Sequence, residues 1–295
     1  MTPLADTLGR LAAADPYCTP RAGVPDGDRW TRLQDVLDDP ALLRTWFDGL
    51  GAESKGAPDV AASYLASWLG GIVLDPAAWA LGSERRTWPL DPRTYWLHRH
   101  DDGWFDGFAL GSPQLRVVPG DPAAGDADVT VVADVATLRG DLARDAVAVL
   151  APLFVTIRTF APYGIRGMWG AVADSLGASA VTAAFRAGAP ERSRPAFDEA
   201  MRLVDDLSAA GAGRITRPLP ASVTCAAGTT TVTHKGTCCL WYKTTDDTAP
   251  IGERYCLSCP LQPDPDQLDR WVAWLDEVDA ARVVREGAGE EHSTS

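Results

Sequence analysis

Apolar side chains recur every three or four positions in several long stretches of the chain, which is the spacing of one helix face. The pattern is clear over residues 60–72 and 197–208. We also expect a helix that opens at Asp134 and runs to Ile157, and another over residues 167–187. Each of these predicted helices packs its apolar face against a core.

Shorter runs of aromatic and β-branched residues predict strands. Residues 94–100 and 104–110 flank Asp101-Asp102-Gly103, and a glycine-containing connector of this length is typical of a β-hairpin. Residues 129–132 predict another strand. Together these elements indicate an α/β or α+β fold, with a mainly helical N-terminal region that carries a small mixed sheet.

Glycine and proline punctuate residues 210–220 and indicate a boundary. We expect residues 1–213 to form the α/β region and residues 214–295 to form a small cysteine-rich C-terminal module. The module begins with a predicted hairpin over residues 222–233, which is rich in threonine and valine.

The module is expected to end in a helix. Asp264 offers an N-cap acceptor, Pro265 suits the first turn, and Gln267 is placed as the capping-box partner. The small, polar residues after Glu286 predict a disordered tail.

Composition and charge narrow the class of protein. The chain has 295 residues, 46% hydrophobic and 23% charged, which suits a folded globular protein of one or two domains. Its formal net charge of −13 opposes contact with a phosphate backbone, so nucleic acid is excluded as a partner. The charge-free apolar runs fall short of the ~18 residues of a membrane helix. Residues 1–15 lack a secretory signal pattern, so we expect a cytoplasmic protein without membrane insertion.

The cysteines are distributed unevenly. Five of the six lie between Cys225 and Cys259, whereas a disulfide scaffold spreads its cysteines along the chain. Clustered thiols in a cytoplasmic protein favour a metal site.

Four of these thiols form two short pairs. Cys238 and Cys239 are adjacent, sixteen residues follow, and then come Cys256 and Cys259 in a C-x-x-C spacing. Four thiolates suit either tetrahedral zinc or an iron-sulfur cluster, and the spacing leaves both open. Adjacent side chains point to opposite sides of an extended chain, so Cys238 and Cys239 can face one centre only with local backbone strain.

Other candidate ligands have plainer explanations. His234 offers an alternative ligand, but we interpret it as a strand-end histidine or a hydrogen-bond donor near the site, and Cys225 as a small buried hydrophobe. His98 and His100 resemble the start of a metallohydrolase signature, but Gly103 stands where its next histidine would be. We therefore expect them to be strand-face residues.

The cysteine pattern resembles a known family. The Cys-Cys pair followed by C-x-x-C-P-L over residues 238–261, with weaker support from Gly167-Met168-Trp169-Gly170, is similar to the FhuF-like ferric-siderophore reductases. The resemblance implies a [2Fe-2S] cluster on the four cysteines Cys238, Cys239, Cys256 and Cys259. It also implies one-electron reduction of a hydroxamate-type ferric siderophore in the cytoplasm, with electrons from reduced ferredoxin or a small thiol.

This chemistry is physically coherent, because siderophore oxygens hold Fe(III) strongly and Fe(II) much less. The sequence lacks the glycine-rich nucleotide-binding motifs, so electrons must come from a partner. We expect residues 1–213 to form the substrate cleft. The rival interpretation is a non-catalytic ligand-binding protein stabilised by zinc. Candidate substrate contacts, chosen by chemistry, are Arg166, Trp169, Lys235, Trp241, Lys243 and Arg254.

Overall fold

The computed structural model describes the backbone of residues 2–53, 57–245, 247–262 and 264–292. About 56% of the chain is helical. The α-helices within these residues are α1 Pro3–Ala14, α2 Leu33–Asp38, α3 Pro40–Glu53, α4 Pro58–Glu84, α5 Val135–Phe160, α6 Ile165–Arg186, α7 Ser193–Leu207, α8 Ile251–Arg254 and α9 Asp264–His292. Short 3₁₀ turns at Pro190–Arg192 and Trp241–Lys243 connect them.

The strands form small sheets. They are β1 Thr19–Ala22, β2 Trp30–Arg32, β3 Arg86–Thr87, β4 Tyr95–Arg99, β5 Phe105–Leu110, β6 Leu115–Val117, β7 Val129–Val131, β8 Leu219–Cys225 and β9 Gly228–His234. One sheet has the order β1-β5-β4-β2, with β1 parallel to β5 and the other pairs antiparallel. A second has the order β3-β6-β7 and is also mixed, while β8 and β9 pair alone. The predicted α/β or α+β class is confirmed.

Most of the predicted elements are present. The apolar periodicity of residues 60–72 and 197–208 falls in α4 and α7, and β4 and β5 form the expected hairpin. The backbone N–H of Thr137 donates to the side chain of Asp134 at 2.8 Å, so Asp134 caps α5 as its position predicted.

The core is built around α4, α5 and α6. Gly70 on α4 lies so close to α6 that a Cβ there would be 2.5 Å from a methyl group of Val172. In the described part of the chain, α4 is the one helix long and apolar enough to cross a membrane by length and composition. The most apolar stretch of 18 residues in α4 is 61% buried inside the protein, as in the core helix of a soluble protein.

The C-terminal segment has a small core of its own. The β8–β9 hairpin contributes Val223 and Val232, and α9 contributes Trp271 and Leu275. Phe185 of α6 belongs to the same cluster, so the segment packs directly on the helical region. The division into residues 1–213 and 214–295 stays a prediction.

The terminal helix differs from expectation at its end. Its backbone begins at Asp264, which the sequence placed at the N-cap, and continues to His292, past the position where a disordered tail was expected. Gly287 and Gly289 are poor helix formers, so local propensity does not explain this continuation. Residues 293–295 lie outside the described residues.

Candidate metal centre

The four paired cysteines converge at one place beside α4 and α6. The sulfurs of Cys239 and Cys256 are 3.7 Å apart. Cys259 is within hydrogen-bond contact of both Cys238 and Cys256. Two chain segments separated by sixteen residues thus bring four thiols together.

Two of these sulfurs accept a backbone N–H from the residue two positions further along. The N–H groups of Leu240 and Leu261 donate to Cys238 and Cys259, each at 3.4 Å. The N–H groups of Trp241 and Ser258 lie near Cys239 and Cys256 and favour the thiolate forms. Backbone dipoles directed at sulfur offset the cost of gathering negative charge, so the site is suited to thiolates.

The adjacent cysteines face the same centre because the backbone turns sharply after them. Leu240 has a φ of 65°, the left-handed region that side chains other than glycine rarely adopt. A 3₁₀ turn follows at Trp241–Lys243. The local strain predicted from the sequence is therefore present, and it turns the N–H groups of Leu240 and Trp241 toward sulfur.

A carboxylate on α6 fixes the loop that leads to the first pair. Asp174, 4% exposed, accepts the backbone N–H groups of Gly236 at 2.7 Å and Thr237 at 3.0 Å. The N–H of Lys235 donates to the carbonyl of Ser258 at 2.8 Å, which ties this loop to the second pair. The two thiol pairs are thus held to each other and to α6 by buried hydrogen bonds.

Close backbone approach requires glycine at two positions around this loop. A Cβ at Gly170 on α6 would lie 2.0 Å from Oγ1 of Thr237. A Cβ at Gly236 would lie 2.2 Å from the carbonyl oxygen of Arg217. Gly170 is the last residue of the Gly-Met-Trp-Gly stretch that the sequence singled out, and its function here is close packing.

The thiol charges are unevenly distributed. Hydrogen bonding from Cys259 lowers the pKa of Cys238 to about 6. Hydrogen bonds from Cys239 and Cys259 lower the pKa of Cys256, and as donors these two thiols have raised pKa values. The site holds negative charge even before a metal enters.

One cation faces this charge. Burial lowers the pKa of Lys235, but the thiols of Cys256 and Cys239 and the carboxyl of Asp174 outweigh it, and the pKa is raised. Burial raises the pKa of Asp174 to about 7, against the opposing effect of its two N–H partners and of Lys235. Lys235 is therefore a protonated counter-charge beside the thiols.

Within the described residues, no group of three or more His, Cys, Asp or Glu side chains is arranged to hold a metal ion, and all six cysteines are free thiols. Two of the sulfurs nevertheless have a separation that suits a thiolate-bound centre. Two sulfurs bound tetrahedrally to one metal at about 2.3 Å are about 3.8 Å apart, close to the 3.7 Å between Cys239 and Cys256. The donor set suits zinc or an iron-sulfur cluster.

A small cavity of about 250 Å³ opens beside Cys238 and Cys239. Its walls are α4, α6 and the loop that carries Lys235. The cavity shares four lining residues with a groove of about 1220 Å³ between α1, α4, α6 and α7; these are Ser67, Trp68, Ser175 and Ala178. The thiols therefore border a cavity that adjoins the larger groove.

The six residues chosen as substrate contacts are found in different surroundings. Lys235 lines the cavity, and Trp241 is 39% exposed with its ring 6.0 Å from that of Tyr64. Trp169 is 1% exposed and packs edge-on against Phe154, so its prediction as a substrate contact is wrong. An indole at that helical position fills the core, where its apolar surface is removed from water.

The three remaining cations have protein partners. Lys243 forms an ion pair with Asp59 at the start of α4. Arg254 pairs with Asp247 at 2.9 Å, and the exposed Arg166 donates to Thr216 at 3.4 Å. None of these three lines the cavity or the groove.

The other metal-ligand candidates do not join the thiols. His234 ends β9 opposite Leu219. Cys225 packs beside the small C-terminal core, as expected of a small hydrophobe. His98 lies on β4, with Nδ1 2.5 Å from Asp106, and the ring of His100 contacts that of Trp104 at a tilt of 33°.

Sequence reasoning missed two residues of the site. Asp174 lies on the predicted helix 167–187, and Tyr64 on the predicted helix 60–72, where it was assigned to a packing face. Tyr64 lines the small cavity together with Cys239. A carboxylate among small apolar residues was the available signal for Asp174; nothing in the periodicity distinguishes Tyr64 from its apolar neighbours.

No model of a known protein family matches this chain, and no curated protein sequence matches it. The geometry of the thiols and of the depression beside them is what supports a function.

Proposed function

We propose that this protein is a cytoplasmic ferric-siderophore reductase that holds a [2Fe-2S] cluster on Cys238, Cys239, Cys256 and Cys259. The observation that carries the proposal is the convergence of the four thiols, of which Cys238 and Cys259 each accept a backbone N–H at sulfur. Hydrogen bonds of this kind are among the features that set the potential of iron-sulfur sites. The similarity to FhuF-like reductases points to the same chemistry.

A bound [2Fe-2S] cluster supplies single electrons, which matches the one-electron conversion of Fe(III) to Fe(II). The siderophore's oxygen donors bind Fe(II) much less strongly than Fe(III), so reducing the substrate iron also releases it. The electron comes from a donor such as reduced ferredoxin or a small thiol. The reaction itself consumes no proton held by the protein.

The residues of this chain would bind and orient the substrate. The cavity beside Cys238 and Cys239 admits the iron centre of the complex, and Lys235 faces its oxygen donors. The adjoining groove, at about 1220 Å³, is larger than most ligand sites and suits a bulky organic ligand. Four acidic and four basic side chains line that groove, so it opposes neither a neutral nor a weakly charged complex.

The first experiment is an anaerobic visible spectrum of the purified protein before and after dithionite, with iron, sulfide and zinc quantified. The proposal expects broad visible absorption that partly bleaches on reduction, with about two irons per chain. A colourless protein with one zinc, unchanged after anaerobic cluster reconstitution, would instead favour the zinc-stabilised ligand-binding protein.

Cysteine variants connect the cluster to turnover. Replacing any one of the four ligands by serine should remove the visible absorption and abolish reduction of a ferric trihydroxamate, measured by trapping Fe(II) with a chelator. Cys225→Ser is the matched control, because Cys225 packs away from the site and its loss should leave both signals intact. Full cluster content and activity in all four ligand variants would refute the assignment.

A further inference from the structure

Asp75 on α4 differs from the other acidic residues that line the large groove. Those three each pair with an arginine: Asp15 with Arg186 at 3.6 Å, Asp198 with Arg194 at 3.0 Å, and Glu199 with Arg139 at 3.1 Å. Among the described residues, Asp75 forms no ion pair and contacts hydroxyl groups instead. It is therefore the acidic group of the groove whose charge no basic side chain offsets.

Two serines of α6 hold the carboxyl group of Asp75 in place. The hydroxyls of Ser175 and Ser179 donate to its Oδ2 at 2.7 Å and 2.6 Å. These serines are one helical turn apart, so they lie on the same face of α6. The other oxygen, Oδ1, is buried and has no hydrogen-bond partner among the described residues. The carboxyl is thus oriented by the protein but left with unused acceptor capacity.

The missing opposite charge is unfavourable in this position. Burial raises the pKa of Asp75 to about 6, against the effect of the two serine hydrogen bonds. A carboxyl with this pKa is still mostly ionised at pH 7.5. Because a partly buried charge is costly unless it is paired, a cation that enters the groove would be bound favourably here.

Tryptophan side chains surround the same stretch of the groove. Trp79 lies four residues after Asp75 and Trp68 seven residues before it, spacings that place all three on one face of α4. Both indoles line the groove, and Trp104 adds a third. The faces of indole rings attract organic cations. An aromatic lining around an unpaired carboxylate is suited to an ammonium group with an apolar stem.

The position of Asp75 relative to the thiols limits the shape of such a ligand. Ser175, which donates to Asp75, also lines the small cavity beside Cys238, as does Trp68. The seven residues of α4 from Trp68 to Asp75 span about 10 Å along the helix axis. A ligand whose metal centre lies in the cavity can therefore reach Asp75 with an arm of about this length.

We propose that the groove selects a siderophore that carries a protonated primary amine, and that the carboxylate of Asp75 pairs with its ammonium group. This inference names a substrate class for the proposed function and rests on that function. An ammonium group offers three donors, which matches the free acceptor capacity of Asp75. The pair forms where Ser175 and Ser179 already orient the carboxyl, so little further ordering of the protein is needed.

The test uses gallium complexes of two linear trihydroxamates that differ only at one end. One ends in a primary amine, and in the other a methyl group replaces the ammonium group. Gallium(III) is not reduced under these conditions, so binding is measured apart from electron transfer. The affinities of both complexes are determined by titration calorimetry at pH 7.5 for the wild type, Asp75→Asn and Asp48→Asn.

The two variants remove the same charge from different surroundings. Asp75→Asn keeps an oxygen that can accept from Ser175 and Ser179. Asp48 lies outside the groove in an exposed ion pair with Arg44, so Asp48→Asn controls for the change in net charge. Circular dichroism spectra first establish that both variants are folded.

The wild type should bind the amine complex at least roughly tenfold more tightly than the methyl complex. Asp75→Asn should lose this preference through weaker binding of the amine complex, because its side chain no longer carries a charge. Its affinity for the methyl complex should stay close to that of the wild type. Asp48→Asn should keep the full preference.

The outcomes separate this inference from the function on which it rests. A wild-type protein that binds neither complex would refute the trihydroxamate substrate and with it the proposed function. Equal affinity of the wild type for both complexes would overturn the selection of an amine and leave the proposed function standing. A preference that persists in Asp75→Asn would overturn the assignment to Asp75. Should Asp75→Asn fail to fold, the same two affinities of Asp75→Ser decide.

Discussion

The buried carboxyl of Asp174 should make the stability of the protein depend on pH in a defined direction. Its folded pKa of about 7 lies well above the value of about 3.9 for an unfolded aspartate. Between these values the folded chain binds a proton that the unfolded chain has lost. The free energy of unfolding contributed by this group therefore falls as pH rises from about 4 to about 7, and is constant above.

The size of the effect follows from the same two values. A pKa difference of one corresponds to about 1.4 kcal/mol, so the difference between the folded and unfolded pKa values of Asp174 corresponds to about 4 kcal/mol of unfolding free energy. Between pH 5 and pH 8, where acid does not protonate metal-bound thiolates as readily, Asp174 should change the free energy of unfolding by about 3 kcal/mol. Asp174→Asn removes the titrating group and keeps an oxygen that can accept from Gly236 or Thr237.

The measurement is urea unfolding of wild type and Asp174→Asn at pH 5 and pH 8, at equal metal content. The difference in unfolding free energy, wild type minus variant, should fall by about 3 kcal/mol between the two pH values. Asp48→Asn is the control, because Asp48 forms an exposed ion pair with Arg44 at 2.8 Å, and its difference should stay nearly constant. Parallel pH profiles for wild type and Asp174→Asn would refute the reasoning.

Two further predictions concern packing at the site and binding in the groove. Gly170→Ala should push Thr237 away from α6, with a loss of about 1–3 kcal/mol in unfolding free energy and reduced cluster content; wild-type values for both would show that the loop moves without cost. Ala178 lines both the cavity and the groove, so Ala178→Trp should obstruct the ligand. Its affinity for a gallium trihydroxamate, measured by intrinsic fluorescence, should fall at least tenfold while the visible spectrum stays unchanged. Val155→Trp, on an exposed face of α5, is the control and should bind with wild-type affinity; equal affinity in both variants would place the ligand elsewhere.

The sequence predicted well what depends on local pattern. Apolar periodicity identified α4 and α7, and the spacing of Cys256 and Cys259 indicated a thiol pair that the structure brings to the first pair. Such features depend only on the helical period or on a short loop, and both can be recognised from the spacing of residues in the sequence. The strain at the adjacent cysteines was likewise predictable, because an extended backbone cannot turn both side chains to one side.

Residues that act across elements were not predictable in this way. Trp169 and Tyr64 both lie on helices with apolar residues at helical spacing, and periodicity assigns each residue to a face without saying what that face contacts. Trp169 packs against Phe154 in the core, whereas Tyr64 lines the cavity beside Cys239. Which neighbour a helix face contacts depends on tertiary packing, so only the structure separates a core aromatic from one that lines the site.

The energetics of Asp174 connect the two halves of the chain. A carboxyl whose pKa is raised by burial lowers stability at neutral pH, so its position on α6 has no advantage for folding by itself. What it provides is a fixed acceptor for Gly236 and Thr237, immediately before the first cysteine pair. Tyr64 on α4 forms part of the cavity wall beside Cys239. Because both groups come from the helical region, the thiol geometry depends on that region, and the cysteine-rich segment is better understood as one part of a site than as an independent metal module.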